Sequence, residues 1–339
     1  MKTRRAHLEL SYNGINISAD LQPHLINWTS TDNLSGQADD IQITLEDRAR
    51  LWIGDWMPDK GATLKAKIVQ ENKKFANTKE SLDLGTFEID EVENNYPPST
   101  VSMKGISIPE SSSLKGEAKN KAWEKTKLSV IAKDIANGSG VKLFYDTSDD
   151  PDYDRMEQTQ ESDLAFLTRL CNDAGLCLKV TGTQINIFDE QKYEQQPPIT
   201  RIMVGEGFIK GYRCRTTLNG LYKSCRVEYY DANKKQTIKF VFTPPNPPKT
   251  GRVLVINERV TSVQEAERLA KKRLRQANRE GMTVSLDLMG DVRFAAGVTV
   301  RLVGFGVFDG NYIIIQAAHS QQGGGYETKL ELRKCLEGY

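Results

Sequence analysis

Hydrophobic residues in the first hundred positions recur at every second residue. Leu8, Leu10 and Tyr12 form one such set, Ile41, Ile43 and Leu45 a second, Leu64, Ala66 and Ile68 a third, and Phe87 with Ile89 a fourth. A period of two places these side chains on one face of a strand, so half-buried strands joined by polar or glycine-bearing turns are predicted. Such a run suggests a barrel or sandwich. Trp52 and Trp56, ahead of the turn Asp59-Lys60-Gly61, read either as core or edge packing or, more sharply, as interface anchors. The polar stretch from Ile108 to Asn120, with Pro109, three serines at 111 to 113 and Gly116, interrupts the strand pattern and marks a boundary or a mobile loop.

The period then changes. Leu128, Ile131 and Ile135 recur at spacings of three and four, which predicts a helix over 126–137 with Thr126 as N-cap and Asn137-Gly138 as its stop. A second helix is predicted over 163–174: Ser162 caps it, Leu164, Leu167, Leu170 and Ala174 form its face, Phe166 and Cys171 widen that face, and Gly175 ends it. Leu176, Leu178 and Val180, then Ile185, Ile187 and Phe188, predict a hairpin turning at Gly182.

From Gly205 strands return, with Arg213 to Tyr230 and Thr237 to Phe242 as long segments parted by Asp231-Ala232-Asn233. Pro244 to Pro248 cannot hold a sheet ladder and predicts an exposed connector. A third helix is predicted over 262–278, with Ser262 and Glu265 as a capping box and Val263, Ala266, Ala270, Leu274 and Ala277 on one face. Beyond it, strand patterns at Val284 to Leu288, Val298 to Leu302, Tyr312 to Ala317 and Leu330 with Leu332 are punctuated by Gly290, Gly297, Gly304, Gly306, Gly310 and Gly323 to Gly325. The expected fold class is mainly β with helical insertions (α+β). Two barrel-like β domains, 1–108 and 205–339, flank a helix and β-hairpin region, 109–204, and the second contains the long helix 262–278.

Composition narrows the function. Among 339 residues, 46 Lys and Arg balance 45 Asp and Glu, so the chain lacks the bulk field of a protein that wraps nucleic acid. The basic side chains Arg268, Lys271, Lys272, Arg273, Arg275 and Arg279 are the best candidate patch, but no aromatics interleave them and a solvent or subunit-facing surface is expected. Cys171, Cys177, Cys214, Cys225 and Cys335 contain no C-x-x-C and are too dispersed for a disulfide framework; Cys171 and Cys225 read as buried packing residues. His7, His24 and His319 are the only histidines, none beside a cysteine, which leaves no structural zinc set. The basic start, Met1 to Arg5, leads into strand-like alternation and not into the apolar core of a secretion signal, and no apolar run has the length of a membrane span.

Candidate chemistry is sparse. Asp146 to Asp154 holds five aspartates without the calcium-loop frame, and reads as an acidic solvated loop. Gly205-Glu206-Gly207 lacks the rest of a dinucleotide fingerprint and reads as a turn, and neither G-x-S-x-G nor a phosphate loop occurs. Asp83 with Glu88, or Glu91 with Glu93, are the carboxylate pairs a glycosidase reading would use, and surface charge accounts for both. No catalytic, cofactor-binding or metal-ligating residue is assigned, and no cofactor is expected.

Three segments, Trp123 to Ala136, Glu161 to Gly175 and Val263 to Ala277, with the glycine-punctuated strands after them, resemble the late control protein D family of phage tail proteins. The stretch Trp123 to Ala136 resembles the helix after that family's first barrel, Glu161 to Gly175 its second helix, and Val263 to Ala277 its long alanine-rich helix. Ala296 to Val300, Asp309 to Ile314, Ala318 to Ser320 and Gly323 to Leu332 are similar to its closing barrel. The resemblance implies a non-enzymatic tail or baseplate hub of the compact Gram-positive prophage or bacteriocin type. By the same resemblance it is a homotrimer whose paired barrels adapt a hexameric tail tube protein to a trimeric central spike protein, with other baseplate proteins as neighbours. It would be a component of the virion or tail-like particle, assembled in the bacterial cytoplasm, with no membrane or nucleic-acid partner. Within this reading His319 is a polar strand-end residue. The alternatives are a baseplate-associated peptidoglycan hydrolase and a spike or receptor-binding protein.

Overall fold

The structure, a computed structural model, describes residues 3–73, 75–108, 112–231, 235–323 and 325–339. Met1, Pro109, Ser111, Ala232, Asn233 and Gly324, on which parts of the sequence reading fall, lie outside the described residues.

Alternation yields strands where it is strongest. Arg5–Tyr12, Asp40–Glu46, Thr63–Glu71 and Lys79–Asn95 turn their apolar positions inward around Trp28, which is fully buried. Burying an indole removes on the order of 150–250 Å² from water, so this ring anchors the N-terminal core. The C-terminal strands Met282–Met289, Thr299–Val303, Gly310–Gln322 and Gly325–Lys334 bury Leu286, Val300, Tyr312, Ile314 and Leu332 in the same manner.

These two β regions are one hydrogen-bonded sheet of 13 strands among the described residues. Its path runs from Ile209–Thr216 through Met282–Met289, Gly325–Lys334 and Gly310–Gln322 to Leu25–Asn33. It continues through Asp40–Glu46, Thr100–Ile106, Lys79–Asn95 and Thr63–Glu71 to Arg5–Tyr12 and Ile15–Asn16. The expected barrels are therefore not closed. The cause is the strand Gly310–Gln322, which pairs first with Thr299–Val303 and then, past a register shift between Ile314 and Gln316, with Leu25–Asn33. A bulge bends and twists a strand. Here it lets one strand leave its own unit and complete the other.

The fold is mixed, with helices set on predominantly antiparallel sheets. Helices occupy Leu128–Gly138, Asp163–Ala174 and Val263–Asn278, close to expectation. Thr126 is not a cap, because it belongs to the strand Lys119–Lys127; Asp150 instead accepts the Ser129 N–H at 2.9 Å. Ser162 and Gly175, the latter with φ of 67°, delimit the second helix as expected. The third buries Ala266, Ala270 and Leu274 together with the polar Arg275 and Asn278; Val263 is exposed and Ala277 only half-buried, unlike the expected face.

Other segments also depart from the sequence reading. The predicted long strand Arg213 to Tyr230 is two strands, Ile209–Thr216 in the large sheet and Ser224–Asp231 in a separate sheet of three, broken where Gly220 takes φ of 79°. The hairpin Cys177–Val180 with Gln184–Phe188 gains a third, parallel strand, Lys142–Asp146. The acidic stretch runs directly into the strand Asp152–Glu161, paired with Lys119–Lys127. The described helices include none long and apolar enough to cross a membrane.

Candidate functional site

The shared strand creates a junction whose side chains come from both β regions. His319 faces Ser30 across the ladder on one side and Thr328 on the other, and is fully buried. It is an interior residue of the 13-residue strand, not the strand-end residue expected. Its Nε2 lies 2.9 Å from the Phe294 carbonyl and must donate, so the neutral tautomer leaves Nδ1 to accept from the Tyr326 hydroxyl at 2.7 Å. Burial lowers its pKa below the ordinary 6.5, against the Phe294 carbonyl, Asp32 and Asp291, which favour the charged form.

Tyr326 covers this histidine, its ring centroid 5.9 Å from the imidazole and 6.0 Å from Trp28. The tyrosine ring also lies directly on the Gly290 backbone: a Cβ there would come within 2.0 Å of it. Gly290 is thus a contact residue, whereas its sequence context suggested only a turn. Trp28 Nε1 donates to Gln321 at 3.1 Å, and Gln70 donates to the Gly290 carbonyl at 2.9 Å, both across the junction.

Two polar clasps reinforce the contact. Lys73 pairs with Asp291, which Arg293 also holds in a fork at 2.7–3.1 Å. Burial alone would raise the Asp291 carboxyl; Arg293 and Lys73 outweigh it and draw the pKa down to about 2. The second clasp is Lys179 of the hairpin, which bridges Asp32 at 2.5 Å and Asp39 at 3.0 Å, while Asp32 also accepts the Ala296 N–H at 2.8 Å. Burial raises the Asp39 carboxyl despite Lys179. With these bonds made, the Asp32 and Asp39 oxygens serve to tie three parts of the chain together.

A third assembly fixes the helical parts to the sheet. Arg333, with its side chain 1% exposed, contacts Glu190 at 2.8 Å and also Glu194; Arg275 of the long helix contacts Glu194 at 2.5 Å. Glu190 is buried, which alone would raise its pKa, but Arg333, Arg279 and Arg275 pull it below the usual carboxylate range. The acidic stretch is solvated only in part: Asp152 and Asp154 are exposed, the latter beside Arg259, whereas Asp149 pairs with Lys272 and Arg268 and Asp146 with Lys192. The basic helix face is thus paired within the chain while still partly facing solvent: Lys271 pairs with Glu267 on the same exposed face, Arg273 with Glu258 and Arg279 with Glu190.

The profile described as phage tail baseplate hub (GPD) matches residues 108–324. The chain belongs to this family. The probable baseplate hub protein of Escherichia phage 186 is 27% identical over 180 residues, 52% of this chain and 43% of that protein. Its counterpart in Escherichia phage P2 is 31% identical over 170 residues, 47% of this chain and 39% of the relative. The matches thus span about two fifths of the curated relatives' length. The 43 kDa tail protein of prophage MuSo2 from Shewanella oneidensis superposes with a TM-score of 0.72 at 14% identity, covering 97% of this chain and 98% of that one, which shows a common fold.

In this member of the family the candidate chemical residues have structural positions. Trp52 is buried and Trp56 is 45% exposed, their rings 5.4 Å apart. Cys171 and Cys225 are buried, and burial pushes their thiols up to about 12 and about 11, which suits packing over reactivity. Asp83 accepts the Gly85 N–H within their strand, where the pairing with Thr63–Glu71 shifts register, and Glu91 and Glu93 project from an exposed part of the same strand. Gly205-Glu206-Gly207 is a turn in which Glu206 accepts the Met203 N–H at 2.9 Å. Among the described residues no group of three His, Cys, Asp or Glu is placed to hold a metal. Sequence reasoning missed the junction itself, whose partners are separated by 293 residues in the Trp28–Gln321 bond.

Proposed function

We propose that the chain is a non-enzymatic hub of a contractile phage tail or tail-like particle, a closed homotrimer that adapts the hexameric tail tube to the trimeric central spike. The observation that carries this reading is the shared strand Gly310–Gln322, which joins two β regions in one continuous sheet. Three copies of a chain with two β units can present six related positions to a sixfold partner, and heterologous contacts can close such a ring. In this reading 1–108 and 205–339 supply the ring units and 109–204 the periphery.

The family match and the internally neutralised helices support the same role, because assembly needs broad interfaces and no reaction centre. The tube protein, the spike protein and other baseplate proteins are the proposed partners, with the particle's baseplate as the location and the bacterial cytoplasm as the place of assembly. The compact Gram-positive prophage or bacteriocin type belongs to the proposal on the strength of resemblance.

Imaging of an intact particle containing the chain tests the reading. Three copies at the tube-to-spike joint are expected; a peripheral position, or a copy number that three does not divide, would refute it.

A further inference from the structure

Two stretches of sheet edge with no strand partner among the described residues carry opposite charge. The strand Ile209–Thr216 ends the large sheet on one side, with Arg213 and Arg215 exposed and Tyr212 54% exposed. Lys210, at its start, pairs with Glu327. In the N-terminal region Lys79–Asn95 outruns its neighbour: the last residue in register with Thr63–Glu71 is Glu88, and Ile89 closes the pairing by donating to the Ala62 carbonyl. Beyond that point the outer edge bears Asp90, Glu91 and Glu93, all exposed. Lys104 is the one basic residue in register with this stretch on the inner side.

Among the described residues neither Arg213 and Arg215 nor Asp90, Glu91 and Glu93 has an ion-pair partner. The contrast with the long helix, whose basic side chains have carboxylate partners within the chain, is informative. Charges on a free edge ordinarily discourage unwanted strand pairing. Either sign achieves that. Opposite single signs on two edges do something more selective, since each edge repels its own kind and attracts the other.

We propose that the basic edge at Arg213 and Arg215 of one copy docks on the acidic edge at Asp90, Glu91 and Glu93 of the next, as a strand-to-strand contact between copies. Opposite charges facing each other across a ladder stabilise it, and like charges destabilise it. Such a contact joins two different surfaces, so it is head-to-tail, the kind that closes a ring when the rotation permits. The inference rests on the hub reading and specifies which surfaces meet.

Sedimentation velocity of the full chain over a range of concentration and salt tests it. Wild type is expected to self-associate at high concentration and low salt, more weakly as salt screens the edges. Arg213→Glu with Arg215→Glu, and separately Glu91→Lys with Glu93→Lys, should each weaken association by about tenfold or more, because attraction becomes repulsion. All four substitutions in one chain should restore it, a result that misfolding cannot mimic. A wild type that stays monomeric, reversals that leave association unchanged, or a combined variant that fails to recover while circular dichroism shows it folded, overturns the edge contact. The hub reading is tested apart from this, by the chain's position in the particle.

Discussion

Removing Glu194 should destabilise the protein more than removing Arg333, although both belong to the same buried contact. The cluster comprises Arg275, Arg279 and Arg333 against Glu190 and Glu194, three positive charges and two negative, a net of +1. Arg333→Met takes it to zero, leaving Glu194 with Arg275 at 2.5 Å and Glu190 with Arg279 at 3.9 Å. Glu194→Gln takes it to +2 and leaves Arg275 and Arg333, with side chains 7% and 1% exposed, without the carboxylate they share. Breaking a buried pair by deleting one partner costs about 3–5 kcal/mol. Glu194→Gln is expected at the upper end of that range and Arg333→Met at or below the lower end. The glutamine still has a carbonyl oxygen for the Leu336 N–H, which Glu194 now accepts at 3.0 Å, so the comparison isolates charge. Urea unfolding followed by circular dichroism measures both, read as midpoint shifts at unchanged slope. Equal costs, a larger cost for Arg333→Met, or losses under about 1 kcal/mol for both would refute the assignment of this cluster as an electrostatic lock.

Gly290→Ala forces Tyr326 away from His319 and Trp28, and should cost about 1–3 kcal/mol as overpacking, visible as a lower thermal midpoint with loss of near-ultraviolet aromatic dichroism. His319 gives an acid sensitivity whose sign follows from its depressed pKa: the unfolded chain takes up the proton first, so its contribution is complete above about pH 6.5 and is lost as pH falls toward the folded value. Asp291 adds a second loss between about pH 4 and its folded pKa of about 2, and His319→Gln should flatten the upper part of the stability profile between about pH 5 and 7 while leaving the lower. Asp149→Asn should release Arg268 and leave Lys272 with Asp189 alone, and make the link between the acidic stretch and the long helix more susceptible to limited proteolysis, with unchanged cleavage counting against that link.

What could be read from the sequence was what depends on near neighbours. Period-two and period-3.6 patterns located most strands of the large sheet and all three long helices, and Ser162 with Gly175 located both ends of one of them, because these signals operate within a few residues. The misreadings share a cause. Thr126 looked like a cap because Asp150, the residue that performs the role, is 21 positions from Ser129 in the chain. The aspartates looked solvated because their partners Arg268 and Lys272 arrive from a helix more than a hundred residues later. His319 looked like a strand end because alternation cannot show that Leu25–Asn33 closes over its other side. Expecting separate barrels followed from treating each β region alone, where one long strand with a bulge serves both.

On the proposed reading the junction bears on function, because an adaptor between two symmetries is limited by angular error between its units. A flexible linker would let each β unit find its partner independently, but would transmit no geometry from one end to the other. Here a hinge would have to break the ladder between Trp28–Asn33 and Gln316–Gln321, at about 0.5–1.5 kcal/mol net for each hydrogen bond. It would also separate Tyr326 from Trp28, pull Gln70 from Gly290 and leave Lys73 and Asp291 apart in a partly buried site. These losses fall together, because the same few ångströms of motion cause all of them, so the two units move as one body. On the proposed reading that stiffness makes three copies present six positions that stay in register with the tube. The part of the molecule most directly tied to its work is then the buried seam along Gly310–Gln322, and substitutions there should disturb particle assembly even where every exposed surface is unchanged.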